Sequence, residues 1–380
     1  MKAIVAIDSF KGSLSSLKAG EAVKAGILEA SPDATVTICP LADGGEGTVD
    51  AIISSSGGKT VSLSVTGPIG EPVTAKYGIT DTGYTVIEMA SAAGLTLVDE
   101  RRRNPEITTT YGVGELILHA INNGSRKFII GIGGSATNDG GVGMLEALGF
   151  DFLDKSGDKI ERGCRGLKDL YKITKGNVPN AISECEFTVA CDVTNPLYGE
   201  LGCSKIFAPQ KGADKDSIER MDSYLAHYAR ITKELLGADY SEAQGAGAAG
   251  GMGFALISYL GARLESGIDL MIRVADIESK ISSADLVITG EGRLDGQSCM
   301  GKAPIGIAKS AKKYKKTVIA LAGCVRDDAV LCHEHGIDAY FPILPAPMSL
   351  EEAMDEEQAY KNLKNTAREV TRLFAKTNLG

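Results

Sequence analysis

The chain has 380 residues, 43% of them hydrophobic and 23% charged. That is enough for two domains with their own cores at roughly 100 to 200 residues each, and it excludes a disordered chain, a collagen-like fibre and a small disulfide scaffold. Forty Lys and Arg against 49 Asp and Glu leave a net charge of −9. The basic clusters, Arg101 to Arg103 and Lys312, Lys313, Lys315 and Lys316, are short and flanked by acids or helical pattern, so nucleic acid is not an expected partner.

The longest apolar runs, Lys127 to Gly134 and Val318 to Gly323, fall far short of the ~18 to 20 residues of a membrane span, so no membrane partner is expected. MKAIVAID at the start lacks the apolar core and cleavage site of a secretory signal, which predicts a cytoplasmic protein. Eight cysteines without a CxxC pair suggest neither a disulfide framework nor a zinc cluster and read as small buried residues. There are 46 glycines, well above the usual ~7% of residues, so where they fall matters.

AIVAID (3 to 8) and TVTICPLAD (35 to 43) are continuous apolar strands, each followed by a glycine-containing polar turn and a helical pattern. Unbroken rather than alternating strands predict a parallel sheet covered on both faces. The first helix carries Leu17, Gly20, Val23, Lys24 and Ile27 and stops before Ser31-Pro32. The second should begin in the GGEGT turn and end at Gly57-Gly58. From Lys59 to about Leu95 the pattern alternates and is broken by turns, which predicts antiparallel hairpins. KFIIGIGG (127 to 134) and FTVACD (187 to 192) read as further strands, and Phe254 to Leu264 as an apolar helix. After Ser283 the strand-helix alternation returns for three strands, including DLVITGEG (285 to 292) and TVIALAG (317 to 323). A helix from Ser349 to about Lys376 closes the chain, with a Ser349/Glu352 capping box and an apolar face of Leu350, Met354, Leu363, Val370, Leu373 and Phe374. The predicted fold is α/β: a Rossmann-like, doubly wound parallel-sheet domain formed by both termini (1–60 and 283–380). A second α/β domain containing antiparallel strands (61–282) is inserted in it, and the site is expected in the cleft between them.

Ligands of open parallel sheets bind beyond the carboxyl ends of the strands, so the turns there are the first candidates. They are Asp8-Ser9-Phe10-Lys11-Gly12-Ser13, Asp43-Gly44-Gly45-Glu46-Gly47-Thr48 and Thr289-Gly290-Glu291-Gly292-Arg293-Leu294-Asp295-Gly296. Any one could be a solvated turn with a helix-capping Asp. Gathered at one sheet edge, their carboxylates repel and call for a cation, and Mg²⁺ with a nucleotide phosphate chain supplies it.

Within the insert, Gly131-Ile132-Gly133-Gly134-Ser135-Ala136-Thr137-Asn138-Asp139-Gly140-Gly141 joins a strand to the helix Val142 to Leu148. It begins as GxGxxA, with Asp151 twenty residues beyond Gly131, so a dinucleotide fold and an oxidoreductase acting on a hydroxy acid enter as alternatives. The polar Thr137-Asn138-Asp139 step separates glycines from helix and argues against them. An anion held at the helix start and a tight packing turn both stay open. Gly245 to Gly253 also spells GxGxxG, but after no strand, and reads as close helix packing. Gly296 to Ala303 resembles a Walker A loop with Ala303 where Ser or Thr is needed, so it is not a P-loop. Cys191-Asp192-Val193-Thr194-Asn195-Pro196-Leu197 ends a strand with an Asp that could accept a hydroxyl proton or hold Mg²⁺. The four histidines make no catalytic pairing, and His333-Glu334-His335 suits a helix C-terminus.

Together MKAIVAIDSFKGSLSS, PLADGGEGTVDA, GIGGSATNDGG, CDVTNPL, FAPQKGA (Phe207 to Ala213) and TGEGRLDGQS resemble the type I bacterial glycerate kinase family, in order along essentially the whole chain. The resemblance implies ATP-dependent phosphorylation of D-glycerate with Mg²⁺, on the 2-hydroxyl, and a fold like the one read above. Phosphoryl transfer needs positioning and charge neutralisation. Lys11 and Arg293 are therefore expected to face phosphate oxygens or the substrate carboxylate, and Asp192 to be the base. Asp8, Ser9, Gly133, Gly134, Ser135, Asn138, Asp139 and Asn195 are expected on the substrate, Gly44, Gly45, Gly290 and Gly292 on the nucleotide, and Asp43, Glu46 and Asp295 on the metal. A non-catalytic binder of small molecules remains the other alternative.

Overall fold

The computed structural model describes residues 1–42 and 44–377, without the Met300 side chain. The chain forms two compact units: Met1–Asp43, Asp50–Gly57 and Gly267–Gly380 make one, Gly44–Val49 and Gly58–Ser266 the other. In chain order the strands are β1 (Lys2–Ile7), β2 (Thr35–Ile38), β3 (Gly58–Thr66), β4 (Pro72–Thr80), β5 (Tyr84–Glu88), β6 (Lys127–Gly131) and β7 (Asp151–Leu153). They continue with β8 (Lys172–Thr174), β9 (Glu186–Ala190), β10 (Arg263–Glu265), β11 (Leu286–Leu294), β12 (Thr317–Val325) and β13 (Ala339–Pro342).

In the terminal unit the order is β13-β12-β11-β1-β2, with every pair parallel. Its central strands are sealed along Ala3 to Ile7, Leu286 to Ile288 and Val318 to Ala322, as continuous apolar strands under helices on both faces must be. Helix Ser16–Ala30 starts at Ser15, whose hydroxyl accepts the Lys18 N–H at 3.3 Å, and ends at Ser31, before Pro32. It buries Ala19, Ala22, Val23 and Ile27, whereas Leu17 is 39% exposed and Lys24 faces solvent. The small residues matter because this helix lies against Glu356–Thr377: a Cβ at Gly26 would stand 2.2 Å from the Lys364 carbonyl oxygen.

The closing helix differs from expectation in two ways. It is two helices, Leu350–Met354 and Glu356–Thr377, because Asp355 has an extended backbone and accepts the Gln358 N–H at 2.9 Å. Its buried face is Ala359, Leu363, Ala367 and Val370, with Leu350 and Leu373 left 79% and 59% exposed. The capping box is present: the Ser349 N–H donates to Glu352 Oε2 at 2.9 Å and the Glu352 N–H to Ser349 Oγ at 3.2 Å. Ser349→Ala is expected to cost about 1 kcal/mol, measured as a lower urea midpoint at unchanged slope.

In the second unit the order is β10-β9-β6-β5-β4-β3. The β3-β4-β5 pairs are antiparallel, as the alternating sequence predicts, while β5, β6, β9 and β10 are parallel. Phe128 stacks on Phe187 at 5.0 Å, and Tyr228 meets Phe254 edge-on at 5.3 Å. The apolar helix ends at Leu260 rather than Leu264, because Gly261 turns left-handed at φ 61° and frees Arg263–Glu265 to add β10. Helices Gly267–Val274 and Ile277–Ser282, expected in the insert, group with the terminal unit. No helix among the described residues is long and apolar enough to cross a membrane.

Candidate functional site

In the terminal unit the chain leaves β1 for β2 on one side and comes back to β11 on the other, so the winding reverses between β1 and β11. Such a reversal is where open α/β sheets accept ligands. Two of the predicted turns flank it. The Asp8 N–H donates to the Gly290 carbonyl at 2.9 Å, and the Ser9 N–H to Asp8 Oδ1 at 2.7 Å. Lys11 is exposed on the turn that Phe10 and Leu14 close. Gly290 is there for packing, since a Cβ would lie 2.0 Å from the Leu321 carbonyl oxygen; Gly292 has room.

Just past this point β11 carries Glu291 and Arg293, alternate residues of the strand, and Asp295 follows directly after its last residue, Leu294. Glu291 and Asp295 are each 8% exposed, and Ser298 joins them. Its hydroxyl donates to Glu291 Oε1 at 2.5 Å and accepts the Asp295 N–H at 3.1 Å. Burial pushes the Glu291 carboxyl up, against the Ser298 bond and the positive charges of Lys302 and Lys11. Burial works the same way on Asp295, but the Ser298 N–H, Lys302 and Arg293 outweigh it and leave that carboxyl below the usual aspartate range. Arg293 Nε donates to Asp295 Oδ2 at 2.9 Å while its side chain stays 61% exposed. Glu291 was missed as a site residue, although its period-two spacing to Arg293 was legible. Lys302 precedes helix Ala303–Lys313 from a 3₁₀ turn at Ser298–Met300, so the Walker-like segment is no phosphate loop.

In the second unit four parallel strands end level at Glu88, Gly131, Ala190 and Glu265. The turns after β6 and β9 are therefore neighbours. Gly44 and Gly45 lie on them: a Cβ on Gly131 would be 2.4 Å from the Gly44 oxygen, and one on Gly133 2.9 Å from Gly45 Cα. The Gly133 N–H donates to the Gly44 carbonyl at 3.0 Å. The Gly44 carbonyl and the Gly133 N–H are thus taken by backbone contact, and the glycines allow the two turns to approach. Gly134, at φ 73°, is exposed. Buried Glu88 accepts the Val49 N–H and is a further acid that went unnoticed at this edge.

Asn138 and Asp139 have no exposed surface. Asp139 accepts from the Thr110 N–H (2.8 Å), the Thr110 hydroxyl (2.9 Å), the Gly141 N–H (3.1 Å) and the Gly143 N–H (3.2 Å). Burial raises its carboxyl, and these four bonds oppose the rise. Asn195 spends its amide on the Leu201 carbonyl at 2.8 Å and its own carbonyl on the Gly247 N–H at 2.9 Å, holding the loop in shape. Asp192 stands exposed two residues beyond β9. The Gly245 to Gly253 segment is packing, as read: a Cβ on Gly250 would lie 2.1 Å from the Thr137 oxygen. Ala249, Gly250 and Gly251 run left-handed there.

Asp151 belongs to the two-stranded β7-β8 sheet, separate from the six-stranded sheet that holds β6, and pairs with Lys159 at 3.0 Å. His333 is engaged by the Ile337 carbonyl at 2.8 Å and stacks on Tyr340, a structural role. Of the expected metal carboxylates, Glu46 is exposed, Asp295 is described above, and Asp43 lies outside the described residues. Among the described residues no three His, Cys, Asp or Glu side chains gather as a metal site.

The model of the glycerate kinase family matches residues 3–375. The chain is 47% identical over 371 residues to the glycerate kinase of Bacillus subtilis (strain 168), covering 97% of each. It is also 47% identical over 376 residues to the glycerate 2-kinase of Escherichia coli (strain K12), covering 99% of this chain and 98% of that one. A crystal structure of a glycerate kinase 2 candidate from Salmonella typhimurium LT2 superposes with a TM-score of 0.90 at 44% identity, over the whole of both chains. The chain is an α/β enzyme of the kinase class. It belongs to the glycerate kinase family.

Proposed function

We propose that the enzyme transfers the γ-phosphoryl group of ATP to the 2-hydroxyl of D-glycerate. The observation that carries this reading is the end-to-end match with a protein named glycerate 2-kinase. The charged turns at the two sheet edges support it. Lys11 and Arg293 supply positive charge to phosphate oxygens or to the substrate carboxylate; Lys11 acts as a point charge and Arg293 as a planar fork. Asp8 and Ser9 border the winding reversal from the β1 side and are proposed on the substrate. Asp192 takes the hydroxyl proton as the oxygen attacks.

Mg²⁺ would neutralise charge on the phosphates. An ion that takes one or two carboxylates and fills its remaining positions with water and phosphate oxygens suits Asp295, held charged beside Arg293, with Glu291 next to it. Asp43 and Glu46 stay proposed as metal-side carboxylates.

The test is ADP release with D-glycerate, L-glycerate, glycerol and tartronate, and NMR assignment of the product. D-Glycerate is expected to be turned over, with phosphate on C2, and glycerol to fail as an acceptor. Equal rates with glycerol would remove the carboxylate clamp, and no ADP with any acceptor would overturn the reading.

A further inference from the structure

Beneath the exposed Gly133-Gly134 turn lies a charge that the reaction above does not use. Lys211 sits in the 3₁₀ turn Pro209–Lys211 and is 2% exposed. Its ammonium donates to Ser135 Oγ at 2.8 Å and to the Thr137 carbonyl at 2.6 Å. Both acceptors are neutral. The charged or titratable groups facing it are Cys203, at the head of helix Cys203–Phe207, and Asp139, whose carboxylate is taken by four other donors. No carboxylate of the described residues forms an ion pair with it, and burying an ammonium without a counter-ion is costly. Two polar atoms in the same stretch, Thr137 Oγ1 and Asn138 Oδ1, are also buried without a hydrogen-bond partner. Buried polar atoms left in that state are rare in folded proteins and call for an explanation.

An ammonium has only donors, so the Ser135 oxygen must be the acceptor between them, and the hydroxyl proton is directed elsewhere. Ser135 follows Gly134 directly and keeps 8% of its surface. We propose that Lys211 is a positioning residue that fixes Ser135 as a hydrogen-bond donor to the carboxylate of the small hydroxy acid. That carboxylate sits on the Gly134-Ser135 turn and is drawn there by the buried positive charge. The inference rests on the glycerate kinase reading, and it leaves Lys11 and Arg293 for the phosphates.

Burial brings the Lys211 ammonium down to about 8, against the opposing pull of Cys203 and Asp139. It is charged below that pH and neutral above it, so the affinity for an anion is lost as pH rises through about 8. The experiment measures KM for D-glycerate and for ATP between pH 6.5 and 9.5, with D-glycerate binding by calorimetry at both ends. In the wild type, KM for D-glycerate is expected to climb toward tenfold per pH unit above the Lys211 titration, and KM for ATP to stay level. Lys211→Met is expected to raise the D-glycerate KM by about 10- to 100-fold at neutral pH, since a charged hydrogen bond is lost, and to abolish the alkaline rise. Should that variant not fold, Ser135→Ala keeps the ammonium and is expected to raise the D-glycerate KM about tenfold with kcat retained. A wild-type KM profile that is flat across pH 8, or either variant folded with an unchanged KM, overturns the inference while ADP release upholds the kinase reading. Failure of ADP release with pH-dependent D-glycerate binding intact overturns the kinase reading and keeps the carboxylate seat.

Discussion

Asp192→Asn is expected to lower kcat with D-glycerate by about 10²- to 10⁴-fold, the usual worth of a positioned base, with ATP affinity and melting temperature unchanged. The substitution preserves shape while it removes the negative charge and with it the ability to accept the proton. Asp192 is exposed at the carboxyl end of a parallel strand, and surface substitutions of this kind rarely move stability by more than ~0.5 kcal/mol. A loss of rate at constant stability therefore reports chemistry. Wild-type turnover in the Asn variant, with nucleotide binding normal, removes Asp192 as the base.

Asp139→Ala is expected to act in the opposite way. Four donors that now converge on one carboxylate would be stranded in a site with no water-facing surface. Removing the acceptor of a buried charged network costs about 3–5 kcal/mol, read as a drop in urea midpoint. The pH sign follows from the raised carboxyl. The folded state holds this proton more tightly than the unfolded chain. Its contribution to stability is thus fully present below the ordinary aspartate range and fades as pH rises through the folded value. The Ala variant should lack that limb. A stable Asp139→Ala protein with only a raised D-glycerate KM would instead place Asp139 on the substrate.

These two aspartates show what could be read without a fold. Both follow an apolar strand and both border a glycine or proline turn, so spacing alone ranks them alike. One ends up on the surface and the other sealed under helix Tyr111–Asn122 and the Val142–Ala147 helix, and only packing separates them. The glycines teach the same lesson. That Gly44, Gly131, Gly133 and Gly290 stand at strand ends was plain, but whether such a residue meets a ligand or another backbone depends on what tertiary structure brings within 3 Å. Lys211 lies in the FAPQKGA segment, but its burial could not be read there: a lysine beside a glycine turn reads as solvated until the chain around it closes.

Local and periodic features belong to the sequence: the continuous strands of the terminal sheet, the antiparallel hairpins, the Ser15 and Ser349 helix starts, and the placement of charged turns after strands. Each depends on neighbours within a few residues, where steric preference and hydrogen-bond geometry act directly. The order of strands, the reversal between β1 and β11, the Glu291-Ser298-Asp295 linkage and the burial of Lys211 and Asp139 belong to the tertiary structure. They join residues far apart in the chain, whose meeting is set by the burial of apolar faces rather than by any local signal.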